Sequence, residues 1–123
     1  MKFLLDANFL MIPGKFRVDI FTELERFGKP ELYTLDSVIK ELEKLSASRG
    51  KDARYAKLGL TILKEKKIQP LPSGKDTDSE IERVASEQGF AVCTQDKALK
   101  AKLLSRKVPV ITLRQKKYLV IEK

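Results

Sequence analysis

The residues of this chain that could do chemistry are acids. It has no histidine and no tryptophan, which removes His-based triads and His-built zinc sites and leaves carboxylates and water as the catalytic groups. Asp6 ends the first apolar run, Phe3-Leu4-Leu5, and Asn8 follows in the turn. Asp96 comes after the run Phe90–Thr94, at a matching topological position. Asp78 stands in the first turn of a helix opened by Thr77-Asp78-Ser79-Glu80. At 100° per residue Glu41 lies beside the apolar stripe Val38, Leu42 and Leu45, whereas Glu43 lies nearly opposite and points to solvent. Each acid also has a plain structural use: Asp6 (or Asn8), Asp78 and Asp96 all suit helix N-termini through capping and the macrodipole. Glu41 at the edge of a buried face costs free energy unless something there wants its charge. Jointly the picture changes, because four like charges on one rim repel unless a cation sits among them. Hard oxygen ligands without His or Cys point to Mg²⁺ or Mn²⁺, which can activate water and neutralise phosphate charge. That is the arrangement used for phosphodiester hydrolysis. The four carboxylates are accordingly expected within bridging reach of a shared ion.

The elements that must position these acids alternate in type. Phe3-Leu4-Leu5 is continuous, as for a strand covered on both faces. Pro13-Gly14 marks a turn, and Val18, Phe21, Leu24 and Phe27 give a helix ended by Gly28-Lys29-Pro30. Glu31–Leu35 reads as a second strand, Asp36-Ser37 as caps for a helix from Val38 to about Ala47, and Tyr55 to Leu63 as a further helix. Ile68–Leu71 is a short strand or edge, and Pro72–Lys75 a loop. The helix from Thr77 carries Ile81, Val84 and Ala85; the strand Phe90–Thr94 follows, then a helix opened by Gln95-Asp96 with Leu99 and Leu103 inward. Val108–Leu113 is the fifth candidate strand and Tyr118–Ile121 a terminal strand or extended tail. A βαβ series of this kind makes a parallel sheet with helices on both faces, and such sheets hold ligands outside the carboxyl ends of their strands.

Length and composition agree with one globular domain over residues 1–123. Hydrophobic residues at 42% and charged residues at 34% exclude a disordered chain. The lone Cys93 excludes an intramolecular disulfide and fits a reducing, cytoplasmic setting; no signal peptide and no run of membrane-spanning length is present. The net charge of +8 is unevenly placed. Residues 1–96 hold 16 Lys+Arg against 16 Asp+Glu, and residues 97–123 hold 9 against 1. Such a basic segment suggests a polyanion partner, with a solvated lysine-rich surface as the plain alternative. Lys97, Lys100, Arg114, Lys116 and Lys117 are its candidate contacts, with Tyr118 available to stack a base.

Four segments together carry a resemblance: Leu4-Leu5-Asp6-Ala7-Asn8-Phe9-Leu10, Val38–Leu45, Thr77-Asp78-Ser79-Glu80-Ile81 and Cys93-Thr94-Gln95-Asp96-Lys97-Ala98-Leu99. They resemble, in order, the four acidic motifs of the PIN-domain ribonucleases. The ending Leu113-Arg114-Gln115-Lys116-Lys117-Tyr118 is most similar to archaeal relatives of the small-subunit processome PIN nucleases. The resemblance spans essentially the whole chain. It implies a three-layer α/β/α sandwich with a parallel sheet of about five strands and a Mg²⁺- or Mn²⁺-dependent site that cleaves single-stranded RNA, in rRNA processing. By motif it puts metal binding and catalysis on Asp6, Glu41, Asp78 and Asp96, with Asn8 and Thr94 in support. Ser79 and Ala98 stand where many members carry further acids, which leaves a second metal less well held; Asp76 is the acid that could substitute.

Other readings compete. A toxin ribonuclease of a toxin–antitoxin pair would share the site, and a PIN fold used only to bind RNA in ribosome assembly would suit the missing acids. A receiver-type phosphorylation domain would need an acid beside Asp6 and a Lys-Pro after a late strand, and Lys107-Val108-Pro109 precedes its strand. A homodimer or a ribosome-assembly partner stays open, and no membrane association is expected.

Overall fold

Phe3, Leu4 and Leu5 have no solvent exposure, because β1 (Lys2–Leu5) lies in the middle of the sheet. Fully burying side chains of this size stabilises by about 1.5–3 kcal/mol each. The computed structural model describes residues 1–123. After β1 come α1 (Ala7–Leu10), α2 (Ile12–Phe16), α3 (Ile20–Leu24) and a 3₁₀ turn (Glu25–Phe27). Then follow β2 (Glu31–Leu35), α4 (Asp36–Ser46), α5 (Lys51–Glu65), β3 (Gln69–Leu71), α6 (Thr77–Gln88) and β4 (Ala91–Cys93). The chain ends with α7 (Lys97–Ser105), β5 (Val110–Arg114) and β6 (Tyr118–Glu122).

The sheet order is β3-β2-β1-β4-β5-β6. All neighbours are parallel except β5 and β6, which form an antiparallel hairpin with Arg114 opposite Tyr118. From β1 the chain builds outward to β2 and β3, then crosses back to β4 and builds the other way. The strand direction of travel therefore reverses between β1 and β4. Right-handed crossovers put the helices before and after this reversal on opposite faces of the sheet, and the crevice at the carboxyl ends of β1 and β4 is where such sheets bind ligands. The expected α/β/α sandwich is what the chain forms.

The elements before the reversal pack closely. A Cβ on Gly59 of α5 would lie 3.2 Å from the carbonyl oxygen of Leu10, so glycine lets α5 come down on the end of α1. Gly89 closes α6 in the left-handed region (φ 73°), and the chain turns straight into β4.

Several expectations need correction. The sheet has six strands, and its last is antiparallel: the hairpin turn at Gln115 and Lys116, both with positive φ, folds the tail back onto β5. Pro13-Gly14 lies inside α2 instead of in a turn, because Pro is accommodated in a helix's first turn; the break comes at Arg17, in the left-handed region. The helix drawn over Val18–Phe27 is shorter, starting after Asp19, whose carboxylate caps it, and ending in the 3₁₀ turn. Asp36 and Ser37 are helical residues of α4 and not its caps. Thr77 likewise is helical, and Asp76 is the cap of α6, accepting from the N–H and hydroxyl of Ser79. Asp76, the acid that could substitute for a missing site acid, thus has both oxygens engaged by Ser79, while its charge still raises the Asp78 carboxyl.

Candidate active site

Three polar side chains of the whole chain are buried, Asp6, Thr34 and Thr94, and they follow or end three adjacent strands. Thr34, in β2, spends its hydroxyl on the carbonyl of Leu5 at 2.7 Å, which ties the ends of β2 and β1 together. Asp6 and Thr94 face the crevice between β1 and β4. The Asp6 N–H donates to the Cys93 carbonyl (3.0 Å) and the Thr94 N–H to that of Ile111 (3.1 Å), so both backbones are held by the sheet ladder.

Asp6 serves two purposes at once. One carboxylate oxygen, Oδ1, accepts from the Ala7 N–H at 2.8 Å and caps α1. The other, Oδ2, accepts from the Thr94 hydroxyl at 2.8 Å and from Asn8 Nδ2 at 3.3 Å. Thr94 in turn accepts from the Asp96 N–H at 3.1 Å, and Asn8 Oδ1 accepts from the Gln95 N–H at 2.9 Å. Asp96 caps α7 through Oδ1, which accepts from the Leu99 N–H at 3.0 Å. Each cap occupies one carboxylate oxygen, so capping leaves the second oxygen of Asp6 to Thr94 and Asn8 and that of Asp96 open.

Glu41 comes from the second turn of α4 and Asp78 from the first turn of α6. Neither carboxylate accepts a hydrogen bond, and the remaining oxygen of Asp96 accepts none. The acids nonetheless sense one another. Burial pushes the Asp6 carboxyl up; Thr94 and Ala7 pull it back, and the charges of Asp78 and Asp96 raise it again. Glu41 is raised by desolvation first, then by Asp6 and Asp78. Asp78 is raised by desolvation, then by Asp96 and Asp76, with Lys102 opposing. All four expected acids thus share one rim, and Glu43 is exposed, as its angle on the helix required.

No three of the chain's acids stand close enough to enclose one ion with their side chains as placed, so the expectation of a ready-bridged set is corrected. Glu41 and Asp78 are exposed side chains, free of hydrogen bonds that would fix their rotamers. The donor chemistry itself fits a hard divalent cation: anionic oxygens, no thiolate or imidazole, and open acceptor sites on Glu41, Asp78 and Asp96.

The expected basic contacts divide into two places. Lys97, Lys100 and Arg114 line a small cleft with Gln95 at the ends of β4 and β5, and Lys100 Nζ lies 2.9 Å from Glu122. Lys116 and Lys117 sit instead on the far side of the hairpin turn beside Phe16 and Arg17, with Lys116 Nζ 5.8 Å from the Phe16 ring centre. Tyr118 is half-buried where β6 begins.

Two features escaped the sequence. Gln95 Oε1 accepts from the Leu113 N–H at 2.7 Å and so locks the loop carrying Asp96 to the end of β5. Glu41 also forms one wall of a polar cleft of about 420 Å³ with Ser37, Lys40, Lys44, Ser73 and Lys75. The spacing of Lys40 and Lys44 around Glu41 was a usable signal for it; nothing local pointed to Lys75.

Comparison with known proteins agrees with this geometry. A family model described as a PIN like domain matches residues 3–116. Ribonuclease VapC4 of Methanocaldococcus jannaschii is 32% identical over 125 residues, covering 98% of this chain and 95% of that protein. Ribonuclease VapC9 of Archaeoglobus fulgidus is 32% identical over 118 residues, covering 95% and 86%. Among solved structures the PIN domain endonuclease Utp24 superposes with a TM-score of 0.82 at 23% identity, covering 98% of this chain and 90% of that one, a likeness of fold. These matches exclude the receiver-type alternative. With acids after β1 and β4 and on α4 and α6, and with a family model spanning nearly every residue, the chain belongs to the PIN-like domain family.

Proposed function

We propose that the protein is a divalent-metal-dependent endoribonuclease acting on single-stranded RNA. The observation that carries this reading is the buried, doubly held Asp6 carboxylate on a rim with three further acids whose oxygens are open. Two relatives named as ribonucleases and a fold match named as an endonuclease support RNA as the substrate class and internal cleavage. Asp6, Glu41, Asp78 and Asp96 would hold Mg²⁺ or Mn²⁺. When bound, such an ion supplies charge neutralisation at phosphate and a water that ionises more readily.

The chain's own residues do the rest. Asp6 is fixed by Thr94 and Asn8, so one ligand is preorganised before anything binds. Glu41 and Asp78 bring charge from two helices and complete the set by rotamer change. Asp96 rides on the Gln95–Leu113 anchor at the start of α7. Lys97 and Arg114 offset the acids' repulsion of an incoming phosphate chain.

The test is cleavage of a labelled unstructured RNA and of a matched duplex with Mg²⁺, Mn²⁺ or EDTA. Cleavage of the unstructured RNA with either metal and none in EDTA is expected. Undiminished cleavage in EDTA overturns the reading, and metal-independent binding without cleavage replaces it with the RNA-binding alternative. A maturation role in rRNA processing predicts one discrete cut in a ribosomal RNA precursor. A toxin role predicts growth arrest on expression in a host cell that Asp6→Asn relieves.

The C-terminal basic residues give a separate expectation. Neutralising Arg114, Lys116 and Lys117 together weakens RNA binding, and the salt dependence of binding flattens by about 0.7 in log–log slope for each phosphate that is no longer neutralised. Metal affinity, followed by calorimetry, stays close to wild type. An unchanged salt series marks these residues as solvated surface.

A further inference from the structure

The cleft beside Glu41 has no hydrophobic lining residue, so it is unlike the mostly apolar pockets that hold small organic ligands. Lys40, Lys44 and Lys75 converge on it from α4 and from the loop between β3 and α6. None of the three enters an ion pair, and all are exposed side chains. The one carboxylate in the wall is Glu41 itself. The hydroxyls are arranged to offer a proton: Ser73 Oγ accepts from the Ser37 N–H and donates to Ser37 Oγ, each at 3.0 Å, which leaves the Ser37 hydroxyl proton for a further acceptor. The Leu35 side chain supplies no cap to α4, and Ser73 takes one first-turn amide, so the positive charge of the cleft comes from its three lysines. Three unpaired cations and a free hydroxyl donor around a polar cleft describe an oxyanion site.

Its position says which oxyanion. The cleft opens beyond β2, on one side of Asp6, and the Lys97–Arg114 cleft opens beyond β4, on the other. With strands about 4.8 Å apart, the two lie on the order of 10–15 Å from one another across the carboxyl edge of the sheet. A ligand that presents negative charge at both, and again at the acids between them, is a phosphodiester strand. We propose that Lys40, Lys44, Lys75 and Ser37 form a phosphate-backbone subsite, so that the RNA crosses the sheet edge from this cleft, over the acids, to Lys97 and Arg114. This inference rests on the ribonuclease reading for the identity of the strand. The even charge balance of residues 1–96 concealed it, because Lys75 is far in the chain from Lys40 and Lys44 and joins them only through the fold.

The experiment compares wild type with the triple variant Lys40→Ala, Lys44→Ala, Lys75→Ala. Binding of a fluorescently labelled unstructured RNA is followed by anisotropy in EDTA across a salt series, so that affinity is read apart from chemistry. The triple variant should bind roughly tenfold more weakly at low salt, with a log–log salt slope shallower by about 2. RNAs shortened from either end give the second readout: shortening from one end weakens wild-type binding but leaves the triple variant unchanged. Equal slopes and equal truncation profiles overturn the subsite, as does a wild type that binds no RNA. A wild type that binds RNA through these lysines yet never cleaves it removes the ribonuclease reading and keeps the subsite.

Discussion

Asp6→Asn is expected to lower metal-dependent RNA cleavage by about three orders of magnitude or more, while the variant melts no lower than wild type in EDTA at neutral pH. On the proposed function, the loss of rate follows from removing the one carboxylate that hydrogen bonds already hold in place. Several kcal/mol of transition-state stabilisation are attributable to a well-held metal, and about 4 kcal/mol corresponds to a thousandfold. The retained stability follows from the direction of the Asp6 shift. Its carboxyl is raised even though Thr94 and Ala7 donate to it, so burial and the neighbouring acids outweigh those hydrogen bonds. Folding therefore disfavours the charged form relative to the unfolded chain, and asparagine removes that charge, which offsets the cost of rearranging the Thr94 and Asn8 hydrogen bonds.

The same shift fixes the sign of the pH dependence. A group with a raised folded pKa holds its proton more tightly in the folded state. Its contribution is fully present below the ordinary carboxyl range and is lost as pH rises through the folded pKa. Asp6, Glu41 and Asp78 all share this direction. Metal-free wild type should thus lose part of its stability as pH rises from the ordinary carboxyl range toward neutrality, and Asp6→Asn should flatten that dependence. Added Mg²⁺ or Mn²⁺ should raise the wild-type melting temperature at neutral pH and leave the variant's nearly unmoved. Undiminished cleavage by Asp6→Asn would sink the mechanism; a large drop in its EDTA melting temperature would show that the carboxylate is chiefly structural.

How much of this was legible beforehand depends on the range of the interaction. Asp6 could be placed because Phe3-Leu4-Leu5 is a continuous apolar run, and such runs become central strands whose carboxyl ends carry ligands. Glu41 could be told from Glu43 by angle alone. Boundaries set by local competition were less legible. Thr77 and Asp76 both offer a capping oxygen, and the capping-box spacing favoured the wrong one. Pro13-Gly14 reads as a turn in isolation but sits in α2, where Gly14 packs against Tyr55 of a helix some forty residues on. The antiparallel sense of β6 depends on the hairpin at Gln115–Lys116, which no glycine or asparagine marks. Least legible was anything built from distant side chains. The cleft of Lys40, Lys44 and Lys75 and the Gln95–Leu113 bond exist only once β2, β3, β4 and β5 stand side by side.

Thr94→Val should reduce cleavage about 10- to 100-fold and lower stability by about 1–3 kcal/mol, whereas Thr94→Ser should recover most of the activity. Valine fills nearly the same volume, so the fully buried site is neither emptied nor overpacked. What it removes is one hydroxyl with two duties. The Asp96 N–H loses its acceptor, and a partly buried unsatisfied donor adds to the stability cost. Asp6 Oδ2 loses its shortest donor and keeps only Asn8 at 3.3 Å. That donor is the first influence holding the Asp6 carboxyl down against burial, so its loss moves the acid further up. The acidic limb of the cleavage profile should shift to higher pH, and the apparent metal affinity should fall most steeply at low pH, where protons compete for the carboxylate. Serine keeps the hydroxyl and gives up a methyl group, at a packing cost of roughly 1 kcal/mol. A serine variant that is destabilised yet has the wild-type acidic limb, beside a valine variant with a shifted limb, identifies Thr94 as the residue that positions Asp6. If both variants lose stability alike and neither moves the limb, Thr94 only packs the end of β4.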